Sequence, residues 1–238
     1  MSIELATRTV TDWTIARETT VTPASTLLNP DQPVVLLVDP QPGLAFAVQS
    51  IDRQALTNNL QALVKIAHAF ALPLIVSTSA TKVYSGPVMT ALRDTLPSGT
   101  PVVDRRSMNV WEDAAAREAV VQTGRKRILI AGLLTEACVS FPALDALAEG
   151  YEVFVVADAC GGATTSSHDL ALLRLRDSGA QVTSWLQLLL ELQRDWTRQA
   201  TYAAARGIVE SHAGGYGIGL AYARDMLTPP SAPAGTAG

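Results

Sequence analysis

Six short apolar runs recur along the chain: "VVLLV" (34–38), "PLIVST" (73–78), "PVVD" (101–104), "RILIAG" (127–132), "EVFVVA" (152–157) and "AQVTSW" (180–185). Most are continuous Val/Ile/Leu stretches, where a half-solvated strand would alternate. Such runs suit strands buried on both faces, as in a parallel sheet covered by helices. Helical segments separate them. In "DRQALTNNLQALVKIAHAF" (52–70), Leu56, Leu60, Leu63, Val64 and Ala67 fall on one face. "WEDAAAREAVVQTG" (111–124) starts acidic, and it ends in glycine, as do "TEACVSFPALDALAEG" (135–150) and "SSHDLALLRLRDSG" (166–179). This alternation predicts an α/β fold: a three-layer α/β/α, Rossmann-like open sheet of six parallel strands with flanking helices and right-handed crossovers.

The pattern divides the chain. Residues 1–32 are polar and Thr-rich and read as an N-terminal arm, and 33–197 form the main domain. Residues 198–226 read as a helical extension, broken at "AGGYG", that closes the domain or packs on another subunit. The Pro/Ala/Gly-rich end, 227–238, reads as a disordered tail. The net charge of −4, with no Lys/Arg run, argues against nucleic acid or an anionic membrane as a partner. No apolar stretch approaches the roughly 18 residues of a membrane span, and the first residues lack the apolar core of a secretory signal. Two cysteines do not make a disulfide framework. The expectation is a soluble cytoplasmic protein with reduced thiols.

In open α/β sheets, function collects at the carboxyl ends of the strands. Asp39 ends the first run, Asp104, Arg105 and Arg106 the third, and Asp158 the fifth, while Cys138 follows the fourth. Asp39 is either a partly desolvated carboxylate suited to shuttling a proton or a cap of the "PQPG" turn. Cys138 lies near the first turn of a helix, with Thr135 as its N-cap. There a thiolate is favoured and backbone N–H groups can hold an oxyanion; the competing reading is a packed, inert thiol. The two arginines either bind an anion or are loop charges. Cys160 reads as a packing residue, and His68, His168 and His212 lack metal-ligand spacing. Neither nucleotide-binding glycine pattern is present, so no nucleotide site is expected.

The stretches "VVLLVDPQPG", "DRRSMNVWED" and "IAGLLTEACVSFPALDALAEGYEVFVVADACGG" together resemble the isochorismatase-like cysteine hydrolases. The "N-x-W" and "FPALxALxxGYEV" text, with "LQLLLELQRDW", is similar to the YcaC-type branch. The resemblance spans about residues 30–225 and implies a six-stranded parallel sheet. It implies hydrolysis of a small C–N substrate (amide, carbamoyl or imide-like) through a Cys138 acyl-enzyme, with Asp39 as the proton shuttle. It also implies a non-proline cis peptide at Leu133–Leu134, which turns the N–H groups of Leu134 and Cys138 toward one oxyanion. Members of the branch form homo-oligomers, commonly octamers.

Two departures stand out. The family's catalytic lysine is absent from "PVVDRRSMNVW"; the cation in register is Arg105, with Arg106 second, and arginine does not readily donate a proton. The D-x-H zinc motif of the nicotinamidases is missing as well, so no metal and no cofactor are expected. Phe46, Tyr84, Trp111 and Phe141 line a flat apolar pocket or pack in the core, and with Arg106 and Asn109 they form the candidate substrate-binding set. The alternative to a hydrolase is a catalytically weakened binding protein, or a redox-responsive thiol protein, on the same fold.

Overall fold

The computed structural model describes residues 26–227, so residues 1–25 of the expected arm and 228–238 of the expected tail lie outside the described residues. Six parallel strands form one sheet in the order β3-β2-β1-β4-β5-β6. They are β1 (Pro33–Val38), β2 (Leu74–Ser79), β3 (Val102–Arg105), β4 (Arg127–Leu133), β5 (Glu152–Gly161) and β6 (Gln181–Thr183). Every residue of β1 and β4 is buried, as continuous apolar runs require. Helix α2 (Arg53–Ala69) buries the expected face of Leu56, Leu60, Leu63, Val64 and Ala67. Its N-cap is Asp52, whose carboxylate accepts the Ala55 N–H at 2.9 Å. The remaining helices are α1 (Pro42–Ala47), α3 (Thr90–Arg93), α4 (Ala114–Val121), α5 (Ser140–Ala148), α6 (Thr165–Asp177), α7 (Trp185–Gln193), α8 (Gln199–His212) and α9 (Gly215–Leu227). Among the described residues, no helix is long and apolar enough to cross a membrane.

Two strand boundaries differ from expectation for local reasons, and two short helices were not expected. The fifth strand runs past Asp158 to Gly161, because its pairing with β4 slips between Ile130 and Gly132 and then resumes at Gly132–Cys160. Asp158 is therefore inside the strand, and its carboxylate accepts the Trp185 N–H at the start of α7, at 2.9 Å. The sixth strand is short because Ser184 caps α7, its hydroxyl accepting the Gln187 N–H at 3.1 Å. The short helices α1 and α3 carry too few turns to show a helical period.

The chain order reverses between β1 and β4, so the crevice of this sheet opens there. The two strands approach closely. Val38 pairs with Gly132, whose φ is +134°, and a Cβ at that position would sit 1.8 Å from the Val38 carbonyl oxygen. Glycine is required on both counts. The extension is anchored through α8: Asn58 donates to the His212 carbonyl at 3.0 Å, and the His212 ring contacts Lys65 at 2.8 Å, both from α2. The Gly132→Ala substitution combines a forbidden φ with backbone overlap, and should cost about 3 kcal/mol or more. Urea denaturation measures this; a wild-type midpoint would show that β4 does not need to approach β1 so closely.

Candidate active site

Asp39 sits one residue past β1 with φ +50° and no exposed surface. Asparagine and aspartate are enriched in this left-handed region, and they occur there where the surroundings hold them. Its N–H donates to the Ser77 carbonyl at 3.0 Å and its carbonyl accepts the Gln41 N–H at 2.7 Å, so the turn after β1 is locked onto β2. The Gln41 side chain continues this, accepting the Ser79 N–H at 2.8 Å and donating to the Ser79 carbonyl at 3.1 Å.

The Asp39 carboxylate does not cap the turn. It faces Arg105, the last residue of β3, in a two-pronged pair in which both side chains are fully buried. Nη1 meets Oδ1, and Nη2 meets Oδ2 at 2.9 Å. Ser77 and Ser79 alternate along β2 and so point to the same face. Ser77 donates to Oδ1 at 3.3 Å and Ser79 to Oδ2 at 3.0 Å. Arg105 Nη2 also donates to the Met108 carbonyl at 2.8 Å. Arg106, just past β3, is exposed, so Arg105 is the cation that meets Asp39.

Cys138 follows β4 in a π-type turn, Thr135–Val139, that runs directly into α5. The thiol is buried against Asp39 and Arg105. Burial, and then the negative charge of Asp39, push its pKa up to about 11, against the opposing effects of a Leu134 backbone hydrogen bond and Arg105. The expectation of a thiolate lowered by a helix N-terminus is therefore corrected: the resting group is a protonated thiol. The reason is local. The sulfur stands in a wide turn beside a carboxylate and out of water. Thr135 is also not an N-cap: its hydroxyl bonds His168 Nδ1 at 2.8 Å. Glu136 extends this staple, accepting from the Ala163 N–H at 2.9 Å and the Ser167 hydroxyl at 3.2 Å. His168 is half-buried, which lowers its pKa. No spacing in the sequence marks it, since the contact joins the turn after β4 to the first turn of α6, 33 positions on. The Leu133–Leu134 peptide is cis. Cys160 is a free, fully buried thiol with its pKa pushed up to about 12 by burial.

Of the candidate substrate contacts, Phe46, Tyr84 and Phe141 are exposed and follow β1, β2 and β4 at the carboxyl edge. Asn109 and Trp111 are corrected, because the fold itself uses their polar atoms and their surface. Asn109 accepts the Trp111 N–H at 3.0 Å and donates to Asp145 at 2.7 Å. Trp111 donates Nε1–H to Glu149 at 3.0 Å, with its ring edge-on to Tyr151 at 5.3 Å. Gln41, Ser77, Ser79 and His168 escaped the sequence reading, although the period-2 spacing of the two serines in β2, the strand beside Asp39, is a usable signal.

The isochorismatase domain model matches residues 33–187. The probable hydrolase YcaC of Escherichia coli is 41% identical over 170 residues, covering 71% of this chain and 81% of that protein. The crystal structure of the E. coli YcaC gene product, described as an octameric hydrolase of unknown specificity, superposes with a TM-score of 0.81 at 36% identity, covering 87% of this chain and all of that one. YcaC from Pseudomonas aeruginosa, solved with hexane-2,5-diol and covalent acrylamide, gives 0.80 at 34% identity over 86% of this chain and all of that one. The domain match covers most of the chain and the fold superposes on both YcaC structures over nearly its whole described length, so the chain belongs to the isochorismatase family of hydrolases, in its YcaC branch.

Proposed function

We propose that this isochorismatase-family hydrolase cleaves a C–N bond in a small amide, carbamoyl or imide-like substrate, with Cys138 as the nucleophile. The observation that carries the reading is the Cys138 thiol held against the Asp39 carboxylate at the crevice between β1 and β4. The acrylamide bound covalently in the P. aeruginosa relative adds support, since acrylamide is an electrophile that thiols attack. In the proposed cycle Sγ adds to the substrate carbonyl carbon while its proton passes to Asp39. The N–H groups of Leu134 and Cys138 hold the oxyanion. The C–N bond then breaks and the leaving nitrogen takes the proton from Asp39. Water, giving its proton to Asp39, hydrolyses the thioester, and that proton returns to the sulfur.

Arg105 does not donate a proton in this scheme, because a guanidinium holds its proton too tightly to act as an acid. Its fork and the two serines occupy the roughly four lone-pair sites of the carboxylate. To accept the thiol proton, Asp39 has to release one donor, and the Ser77 contact at 3.3 Å is the longest of them. Substrate contact is assigned to Phe46, Tyr84, Phe141 and Arg106, all of them exposed beyond the carboxyl ends of the strands. One observation favours a second reading, a catalytically weakened binding protein: the thiol raised to about 11, with arginine in the place of the family lysine.

A panel of small amides, carbamoyl compounds and cyclic imides, assayed for released ammonia or amine, separates the two. Cys138→Ala and Asp39→Asn should each abolish turnover with folding intact by circular dichroism. Full activity in either variant would sink the mechanism, and no turnover of any compound would favour the weakened form. Alkylation by iodoacetamide, followed by mass spectrometry, needs the thiolate. With the folded pKa raised to about 11, the Cys138 rate should climb about tenfold per pH unit from pH 7 to 10. A plateau below pH 9 would contradict the buried, carboxylate-facing thiol. Arg105→Met leaves Asp39 buried without its cation and should cost about 3–5 kcal/mol, measured by thermal and urea unfolding. A loss under 1 kcal/mol would mean that Asp39 reaches water.

A further inference from the structure

Gln41 lies between two prolines in "DPQPG". A following proline holds a residue extended, and Gln41 has φ −117° and ψ 142°. It stands at the N-cap position of α1, yet its side chain makes no cap bond and has no exposed surface. A buried carboxamide has an acceptor oxygen and two N–H donors to satisfy. Oε1 accepts the Ser79 N–H at 2.8 Å, and Nε2 donates to the Ser79 carbonyl at 3.1 Å and to the Gly86 carbonyl. Nε2 also lies 3.5 Å from the Thr81 hydroxyl oxygen. From a position two residues past Asp39, this one side chain therefore grips both ends of a π-type turn, Thr81–Ser85.

Other contacts hold the same turn. It follows Ala80, whose φ is +49° and whose carbonyl accepts the N–H groups of Val83, Tyr84 and Ser85 at 3.0–3.3 Å. The Thr81 hydroxyl donates to Asp104, the neighbour of Arg105, at 2.6 Å. Gly43 of α1 packs so closely that a Cβ there would lie 2.4 Å from the Tyr84 carbonyl oxygen. Val83 and Tyr84 are nevertheless 89% and 64% exposed. A loop backbone fixed this firmly, with two large apolar side chains left in water, is built to present them to a ligand.

We infer that Gln41 is a positioning residue for the proposed reaction. Its carboxamide makes the Asp39 segment and the Tyr84 turn one unit, and Asp104 ties that turn to the strand end that carries Arg105. The ring that meets the substrate and the carboxylate that takes the thiol proton thus keep a fixed separation. The inference rests on the reading of Cys138 and Asp39 given above. Glutamine suits the position because glutamate lacks the two donors, methionine lacks donors and acceptor alike, and asparagine is one methylene shorter.

Two alkylating reagents test this without turnover: iodoacetamide, and N-phenyl iodoacetamide, which carries a ring. The ratio of their rates at Cys138, followed by mass spectrometry, cancels changes in thiol ionisation and reads the contact made with the ring. Tyr84→Ala should lower the ratio about fivefold, the worth of one aromatic contact. Gln41→Met, similar in length but without the amide, should lower it by a like amount. The double variant should fall no further than either single one, because a displaced Tyr84 has no contact left to lose. A wild-type ratio in either single variant, or losses that multiply in the double one, would overturn the inference. So would reduced thermal stability with an unchanged ratio, which is what a purely structural glutamine gives. Should Gln41→Met not fold, Thr81→Val, which frees the turn from Asp104, decides by the same cycle. Turnover of the amide panel judges the C–N reading separately: coupled ratios with no turnover would fail that reading and still support the positioning role.

Discussion

The pair between Asp39 and Arg105 joins the end of the first strand to the end of the third across the second, with both side chains out of water. Burying two charges is costly, and such a pair returns that cost only when its geometry is good and its remaining donors and acceptors are met. Here both prongs engage, two serines of β2 serve the carboxylate and the Met108 carbonyl serves the guanidinium. Among the described residues, Arg105 Nε and one Glu136 oxygen are the buried side-chain atoms left without a partner. The pair is therefore better understood as an orienting device than as a source of stability. It fixes the direction of the Asp39 carboxylate, and the turn after β1 then has little freedom, since Gln41 and the Asp39 backbone are tied to β2.

The fold was largely legible. Continuous apolar runs are the signature of strands covered on both sides, and the helical period of residues 52–70 revealed the buried face of α2. What escaped depends on contacts between distant segments. A slip in the β4–β5 pairing carries the fifth strand beyond its apolar run, and a serine cap turns Trp185 from strand into helix. The site shows the same division. Asp39 and Cys138 stood out by position and by resemblance, as did the cis bond by resemblance alone. The choice between Arg105 and Arg106 needed the tertiary contact: Arg105 ends β3 buried against Asp39, while Arg106 lies past the strand and is exposed. Asn109 and Trp111 lie in a stretch that resembles the family, yet their contacts are with α5 and its end. A shared motif marks residues the fold needs as readily as residues a ligand needs.

The electrostatics of Cys138 set the terms for its chemistry. A thiol with its pKa raised to about 11 would need about 5 kcal/mol to ionise at pH 7 before any bond forms. That cost disfavours a preformed thiolate attacking in a separate step. It also disfavours a redox sensor, which requires an exposed, low-pKa sulfur. The same features that raise the thiol place its proton against Asp39, so attack and proton transfer can proceed together. The negative charge that opposes a free thiolate is then neutralised by the proton it receives. Arginine in the lysine position cuts both ways: its fork aims the carboxylate more firmly than a single ammonium would, but its second prong also occupies an oxygen the proton needs. A site built this way gains orientation at the expense of basicity.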